Sequence, residues 1–188
     1  MWTQDLLAAA DVHLDLVEKR MRDLNVVDRG AVRYEAAFAR PAVREHMRRP
    51  GAIVERAHSY VAAARQAVGD IVDDMRDAPG RVGEDLRLLG QVCAMVDELG
   101  TEATRHLAAV DRQVTADPDP NARLLGLMLA SDARTLQVAR SSARAAGRIA
   151  HELAEDLPRL PVATSPLGRE HQHRQPRRLA LGPTGPPR

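Results

Sequence analysis

The segment LLGLMLASDARTLQVARSSARAAGRIAHEL, residues 124–153, decides the fold because its apolar residues recur at alternating steps of four and three. That spacing places them on one face of an α-helix, whereas a half-buried strand would alternate at every second residue. The pattern predicts a helix over residues 121–157, about 55 Å long. The positions that form this stripe are Leu125, Leu129, Asp132, Leu136, Ala139, Ala143, Ala146, Ala150, Leu153 and Leu157.

A second stripe of the same spacing precedes this one and runs from Val82 to Val114. The turn ADPDPN lies between the two stripes, with Asp119 suited to cap the next helix and Pro120 suited to its first position. Two helices joined by a short turn pack against each other in opposite directions. The sequence therefore predicts a long C-terminal antiparallel helical hairpin.

The first half of the chain carries two further stripes, over residues 3–24 and 54–75. Between them we expect a shorter helical segment over about residues 31–48, which Pro41 ends or kinks, and then a break at RRPG, residues 48–51. The prediction is an all-α fold, an up-and-down helical bundle of four to five helices. The sustained seven-residue repeat is also typical of a coiled coil.

The composition agrees with a helical protein, since aromatic residues make up only 2% of the chain and none follows Tyr60. Cys93 is the single cysteine, so no intrachain disulfide can form and a reducing compartment is expected. The N-terminal residues lack the basic and apolar regions of a signal peptide, and no apolar run approaches the roughly 18 residues of a membrane span. We therefore expect a cytoplasmic protein that does not bind a membrane.

The chain changes character at Pro158. Residues 158–188 contain seven of the twelve prolines and show no helical period. Six arginines and one glutamate give this segment a net charge of +5, which leaves −4 for residues 1–157. The sequence thus predicts two parts, a helical bundle over 1–157 and a disordered, basic, Pro/Arg-rich tail over 158–188.

Asp132 is the one charged residue in the stripe of the last predicted helix. In an antiparallel hairpin it would lie opposite Ala103, within one turn of Arg105 and His106. A buried carboxylate without a partner is costly, so we expect Asp132 to pair with one of these bases, and His106 is the preferred candidate. Such a pair would fix the register of the helices. In the alternative, the hairpin rotates slightly and Asp132 points to water.

Two short segments resemble histidine phosphorelay proteins. RIAHELAEDL, residues 148–157, resembles the phosphoacceptor helix of bacterial sensor kinases. In one kinase pattern Ala154 stands at the phosphoacceptor position, whereas in a second pattern His151 does, with Ala154 and Asp156 in place of that pattern's arginine and proline. RAHSYVAAARQAVG, residues 56–69, is similar to histidine phosphotransfer domains, with His58 in register as the phosphoacceptor. A valine replaces the lysine of that family, which would stabilise the phosphoryl charge. The second resemblance implies a phosphotransfer-like signalling protein as a weak alternative function.

The residue pattern does not support nucleophilic catalysis or metal binding. Cys93 lies in an apolar stripe, which is typical of a small core residue and not of a reactive thiolate. Glu55 and His58 have the spacing of a di-iron motif, but the second copy that such a centre requires is missing. We therefore expect no catalytic residues, no metal site, no cofactor and no small-molecule substrate, and hence no enzyme.

Binding to a partner is the remaining possibility. The favoured prediction is a non-catalytic interaction, scaffold or regulatory module that binds a protein or forms a homodimer through its alanine-rich stripe. The alternative is a nucleic-acid-associated regulator, although the acidic body and the scarcity of aromatic residues argue against it. A mixed-charge face with Glu152, Glu155 and Asp156 would also explain the arginines. The candidate partner-binding residues are Arg140, Arg144 and Arg148, with Arg174, Arg177 and Arg178 of the tail.

Overall fold

The computed structural model describes residues 2–24, 41–116 and 120–156, with side chains described in 3–24, 48–116 and 122–156. These residues form four helices and no strand. The helices are α1 (Trp2–Arg22), α2 (Pro41–Asp77), α3 (Val82–Thr115) and α4 (Pro120–Asp156). The predicted all-α class is confirmed.

The four helices pack side by side, and each has two principal neighbours. Helix α1 packs on α2 and α4, and α3 packs on the same two helices. Two clusters of buried apolar residues lie between them. One joins the C-terminal halves of α1 and α3 to the N-terminal parts of α2 and α4, and the other joins the opposite halves. Opposite ends of consecutive helices therefore meet in each cluster.

The apolar stripes of α3 and α4 face this core, as their spacing predicts. Every stripe position of α3 from Val82 to Val114 is buried. In α4 the stripe is buried from Leu125 to Leu153. Full burial of a leucine contributes about 1.5–3 kcal/mol, so these stripes supply much of the driving force for folding.

The alanine-rich part of α4 corrects one expectation. Ala139, Ala143, Ala146 and Ala150 are at most 1% exposed, because they lie inside the core of this chain. A homodimer cannot use this stripe unless the core opens. The small side chains serve close packing within one molecule instead.

Helices α3 and α4 come close where glycines face each other. A Cβ atom added to Gly147 would lie 3.1 Å from the Cβ of Cys93 and 3.8 Å from the carbonyl oxygen of Gly90. The first of these distances is tighter than an ordinary van der Waals contact. Glycine at position 147 therefore allows an approach that a larger residue would oppose.

The predicted break at RRPG is wrong, since α2 runs without interruption through Pro50. A proline inside a helix costs about 3 kcal/mol, but Pro50, Val54 and Ala57 are spaced by four and three and are all buried. Burial of this face outweighs the local preference. Pro41 begins α2, where its missing N–H leaves no helical bond unmade. Residues 31–40 of the predicted short segment lie outside the described residues.

Candidate functional site

Two arginines of α4 bind one aspartate of α3. The Nε of Arg140 lies 2.9 Å from Oδ1 of Asp97, and the Nε of Arg144 lies 2.7 Å from Oδ2 of the same carboxylate. Residues four apart lie on one face of a helix, so both guanidinium groups reach the same point on α3. Asp97 thereby holds two positive charges in defined positions.

Gly100 makes room for the first of these arginines. A Cβ atom at Gly100 would lie 2.6 Å from Cγ and 3.0 Å from Cδ of Arg140, which is too close for any real side chain. The stem of Arg140 thus packs over the backbone of α3, and only 19% of this side chain is exposed. Sequence reasoning missed the contribution of Gly100 and of Asp97. The signal available in the sequence for these two roles was a glycine within an apolar stripe, one helical turn from an aspartate.

A groove lies beside this ion-pair centre, between α3 and α4. Its volume is about 390 Å³, and the residues that line it are Thr104, Ala133, Arg134, Gln137, Arg140, Ser141 and Arg144. The hydroxyl groups of Thr104 and Ser141 donate to carbonyl oxygens of their own helices, at 2.7 and 3.0 Å. The guanidinium groups therefore dominate the polar chemistry of the groove.

The predicted arginine row is divided by the structure. Arg140 and Arg144 line the groove, whereas Arg148 is exposed and lies outside its lining. The acidic partner of the row is Asp97 on α3, which the sequence prediction did not name. Arg134, which the sequence prediction also omitted, joins the groove and has no ion pair among the described residues. Arg174, Arg177 and Arg178 lie outside the described residues, so their role stays a prediction.

Asp132 is buried, with 1% of its surface exposed, and it takes part in a polar interaction. The alternative in which this residue points to water is therefore wrong. His106 is partly exposed, and its Nε2 lies 3.7 Å from Oε1 of Glu102, one turn earlier on α3. A pairing between Asp132 and His106 stays a prediction.

A second ion-pair centre joins α1 to α2 with the opposite arrangement of charge. Arg65 of α2 lies 2.6 Å from Glu18, 3.4 Å from Asp11 and 3.4 Å from Asp15, all on α1. The hydrogen bond from Arg65 lowers the pKa of Glu18 below its ordinary value, and the same bond raises the pKa of Arg65. One cation is here shared by three carboxylates.

Two carboxyl groups meet where α2 ends and α3 begins. Burial and the nearby carboxyl group of Asp74 raise the pKa of Asp85 above its ordinary value, while the charge of Arg81 opposes this shift. The Oδ2 atom of Asp85 is buried and has no hydrogen-bond partner. This contact therefore favours a protonated carboxyl group.

Cys93 is buried, and burial raises the pKa of its thiol to about 12. A thiol with this pKa remains protonated at neutral pH and is a poor nucleophile. The geometry fits the interpretation of Cys93 as a small core residue.

The two histidines of the phosphorelay resemblances lie in unlike surroundings. The Nε2 atom of His58 is buried and has no hydrogen-bond partner, so a phosphoryl donor could not reach this atom without a rearrangement. His151 is exposed, and its Nε2 lies 3.3 Å from Oε1 of Glu155, one turn later on α4.

Among the described residues, no group of three or more histidine, cysteine or acidic side chains has the geometry to hold a metal ion. The four described helices also contain no apolar stretch of the length that crossing a bilayer requires.

Comparisons with protein-family models, with curated proteins and with solved structures found no match to this chain. The candidate site is accordingly defined by geometry alone: a groove lined by three arginines, two of which Asp97 holds in place.

Proposed function

We propose that this chain is a non-catalytic, cytoplasmic protein-interaction module with a scaffold or regulatory role, and that the outer face of α4 contacts the partner. The observation that carries the proposal is that α4 exposes large apolar side chains as well as arginines. Leu124, Leu127 and Val138 are 58%, 71% and 42% exposed. Arginine and apolar residues together are typical of protein–protein interfaces, from which lysine and the acidic residues tend to be depleted.

The proposed architecture is an up-and-down bundle of four helices in which α3 and α4 form the antiparallel hairpin. Contacts between Asp97 and Arg140, and between Gly90 and Gly147, support it, because residue numbers rise along one helix as they fall along the other. Such a hairpin presents a long, rigid face. Rigid helices suit an interface because little order must be gained on binding.

A nucleic-acid-associated regulator is the second candidate. It is favoured by the guanidinium groups of the groove and by the basic residues of 158–188. Exposed leucines on the same helix, and a net charge of −4 for residues 1–157, argue for a protein partner instead.

Site-specific photo-crosslinking in living cells of the source organism tests the proposal. A benzophenone amino acid replaces Leu127 in one variant and Val12, a similarly exposed residue of α1, in the matched control. We expect discrete covalent adducts with a protein from position 127 and none from position 12. No adduct at position 127, or the same adducts from both positions, would contradict the proposal.

A further inference from the structure

We propose that the groove between α3 and α4 binds a single oxyanion of the partner, a carboxylate or a phosphoryl group, through Arg134, Arg140 and Arg144. The inference rests on the proposed function and specifies the chemistry that the partner must present. Both kinds of group present two oxygen atoms on one central atom. The fork of a guanidinium group recognises such a pair with two parallel hydrogen bonds.

The number of donors leaves room for such a ligand. Two guanidinium groups carry about ten N–H donors, whereas one carboxylate offers about four acceptor sites. Asp97 therefore cannot satisfy Arg140 and Arg144 together. Arg134 adds a third guanidinium group without an ion pair among the described residues.

Asp97 also acts as a positioning residue for the proposed site. Its two oxygens bind the Nε atoms of Arg140 and Arg144 at 2.9 and 2.7 Å, so the rest of each guanidinium group extends beyond the carboxylate. Free arginine side chains lose rotamer entropy when they are fixed, and here part of that loss has already occurred. A ligand meets donors that are held in place.

The charge of the groove selects a compact anion over a long polyanion. Three guanidinium groups against Asp97 give a local excess of positive charge, while residues 1–157 as a whole carry −4. Repulsion from the body would act on a nucleic-acid strand along most of its length, whereas a side-chain carboxylate or phosphate would feel mainly the groove.

Nuclear magnetic resonance of the full-length ¹⁵N-labelled chain tests the inference through the Nε–Hε signals of Arg140 and Arg144. The probes are inorganic phosphate, a phosphoserine peptide, a glutamate-rich peptide of the same length and a single-stranded oligonucleotide. We expect the first three to shift both signals saturably. Arg134→Gln should weaken this binding about tenfold, as expected for loss of a charge-assisted hydrogen bond.

Arg148→Gln is the matched control, because it removes the same charge from an exposed position of α4 outside the groove. It should weaken binding less than twofold or so, since screening limits its effect. Stronger binding of the phosphoserine peptide would assign the site to phosphoryl groups, and stronger binding of the glutamate peptide would assign it to carboxylates. Either ranking supports the inference.

Three results would overturn the inference: no saturable shift, equal weakening by Arg134→Gln and Arg148→Gln, or tightest binding of the oligonucleotide. The last result would favour the nucleic-acid alternative. Crosslinking from position 127 is independent of these signals. Anion binding in the groove can therefore be refuted while the proposed interaction of α4 with a partner is still supported.

Discussion

The two ion-pair centres of this protein are opposites. Between α1 and α2, the cation Arg65 is surrounded by the carboxylates of Asp11, Asp15 and Glu18. Between α3 and α4, the carboxylate of Asp97 is shared by the cations Arg140 and Arg144. Each centre joins neighbouring helices, but the first has excess negative charge and the second has excess positive charge.

The difference separates a structural contact from a candidate binding site. A guanidinium group has five donors, and three carboxylates around Arg65 offer more acceptors than it can use. At Asp97 the excess lies with the donors, and a groove stands next to them. Water can satisfy the spare groups of both centres, but only the spare donors beside the groove attract an external anion, because the excess carboxylates around Arg65 repel it.

The largest expected effect concerns the close approach of α3 and α4, on which the Asp97 centre depends. Gly147→Leu should lower the free energy of unfolding by about 2 kcal/mol or more, because the new side chain would overlap Cys93 and the backbone at Gly90. Urea denaturation monitored by circular dichroism measures the change.

Gly69→Leu provides the matched control, since Gly69 is exposed on α2 and has nothing within 4 Å of an added Cβ. This variant should gain up to about 1 kcal/mol from the better helix propensity of leucine. Equal effects of the two substitutions would show that the glycines of α3 and α4 are not required for close packing.

An intermediate effect is expected at the ion-pair centres themselves. Arg65→Gln should lower the free energy of unfolding by about 1 kcal/mol at low salt, because three neighbouring carboxylates lose their shared cation. Asp97→Asn should cost less, since the amide oxygen still accepts a hydrogen bond from one arginine. Denaturation at low salt and in about 1 M NaCl measures both, and the loss at Arg65 should shrink at high salt.

Arg56→Gln, at an exposed position of α2 without an ion pair among the described residues, should change the stability by less than about 0.5 kcal/mol. A larger loss for Asp97→Asn than for Arg65→Gln would reverse the comparison. It would make the α3–α4 centre the more important one for stability.

The smallest effect is expected at Asp85, where two carboxyl groups meet without an ion pair among the described residues. The raised pKa of Asp85 means that the fold disfavours its charged form at neutral pH. Asp85→Asn should therefore raise the Tm by about 1–2 °C at pH 7. Its amide can also donate to Asp74.

This gain should diminish as the pH falls through the raised pKa of Asp85 to below its ordinary value of 3.8, because the native carboxyl group is then protonated and the stability it had lost at neutral pH is regained. Thermal unfolding between pH 3 and pH 7 measures the trend. Glu84→Gln removes the same charge from an exposed neighbour and should show little change. A pH-independent difference for Asp85→Asn would refute the assignment.

The parts of the structure that the sequence could predict depend on local periodicity. The stripe from Val82 to Val114 is buried throughout. A four–three repeat places its residues on one face of a helix, so that face packs on the core as a unit. The helix that starts at Pro120 follows from the same repeat together with the turn residues before it. The continuation of α2 through Pro50 was not predictable, since it depends on burial against other helices.

The candidate site was only partly predictable for the same reason. Arg140 and Arg144 were identified because they lie four residues apart on one helix. Their partner Asp97 lies 43 and 47 residues earlier in the chain, so helical spacing within α4 could not reveal it. Arg134 and Gly100 matter only once α3 lies beside α4.

The sequence by itself determined which residues face the core, because helical periodicity is a property of the local chain. It also predicted that Cys93 would be a core residue, whereas it left open whether Asp132 is buried. Only the tertiary structure decided which charges meet. The side of a helix that faces a given neighbour depends on the packing of all four, and this packing places Asp97 between two arginines and leaves a groove beside them.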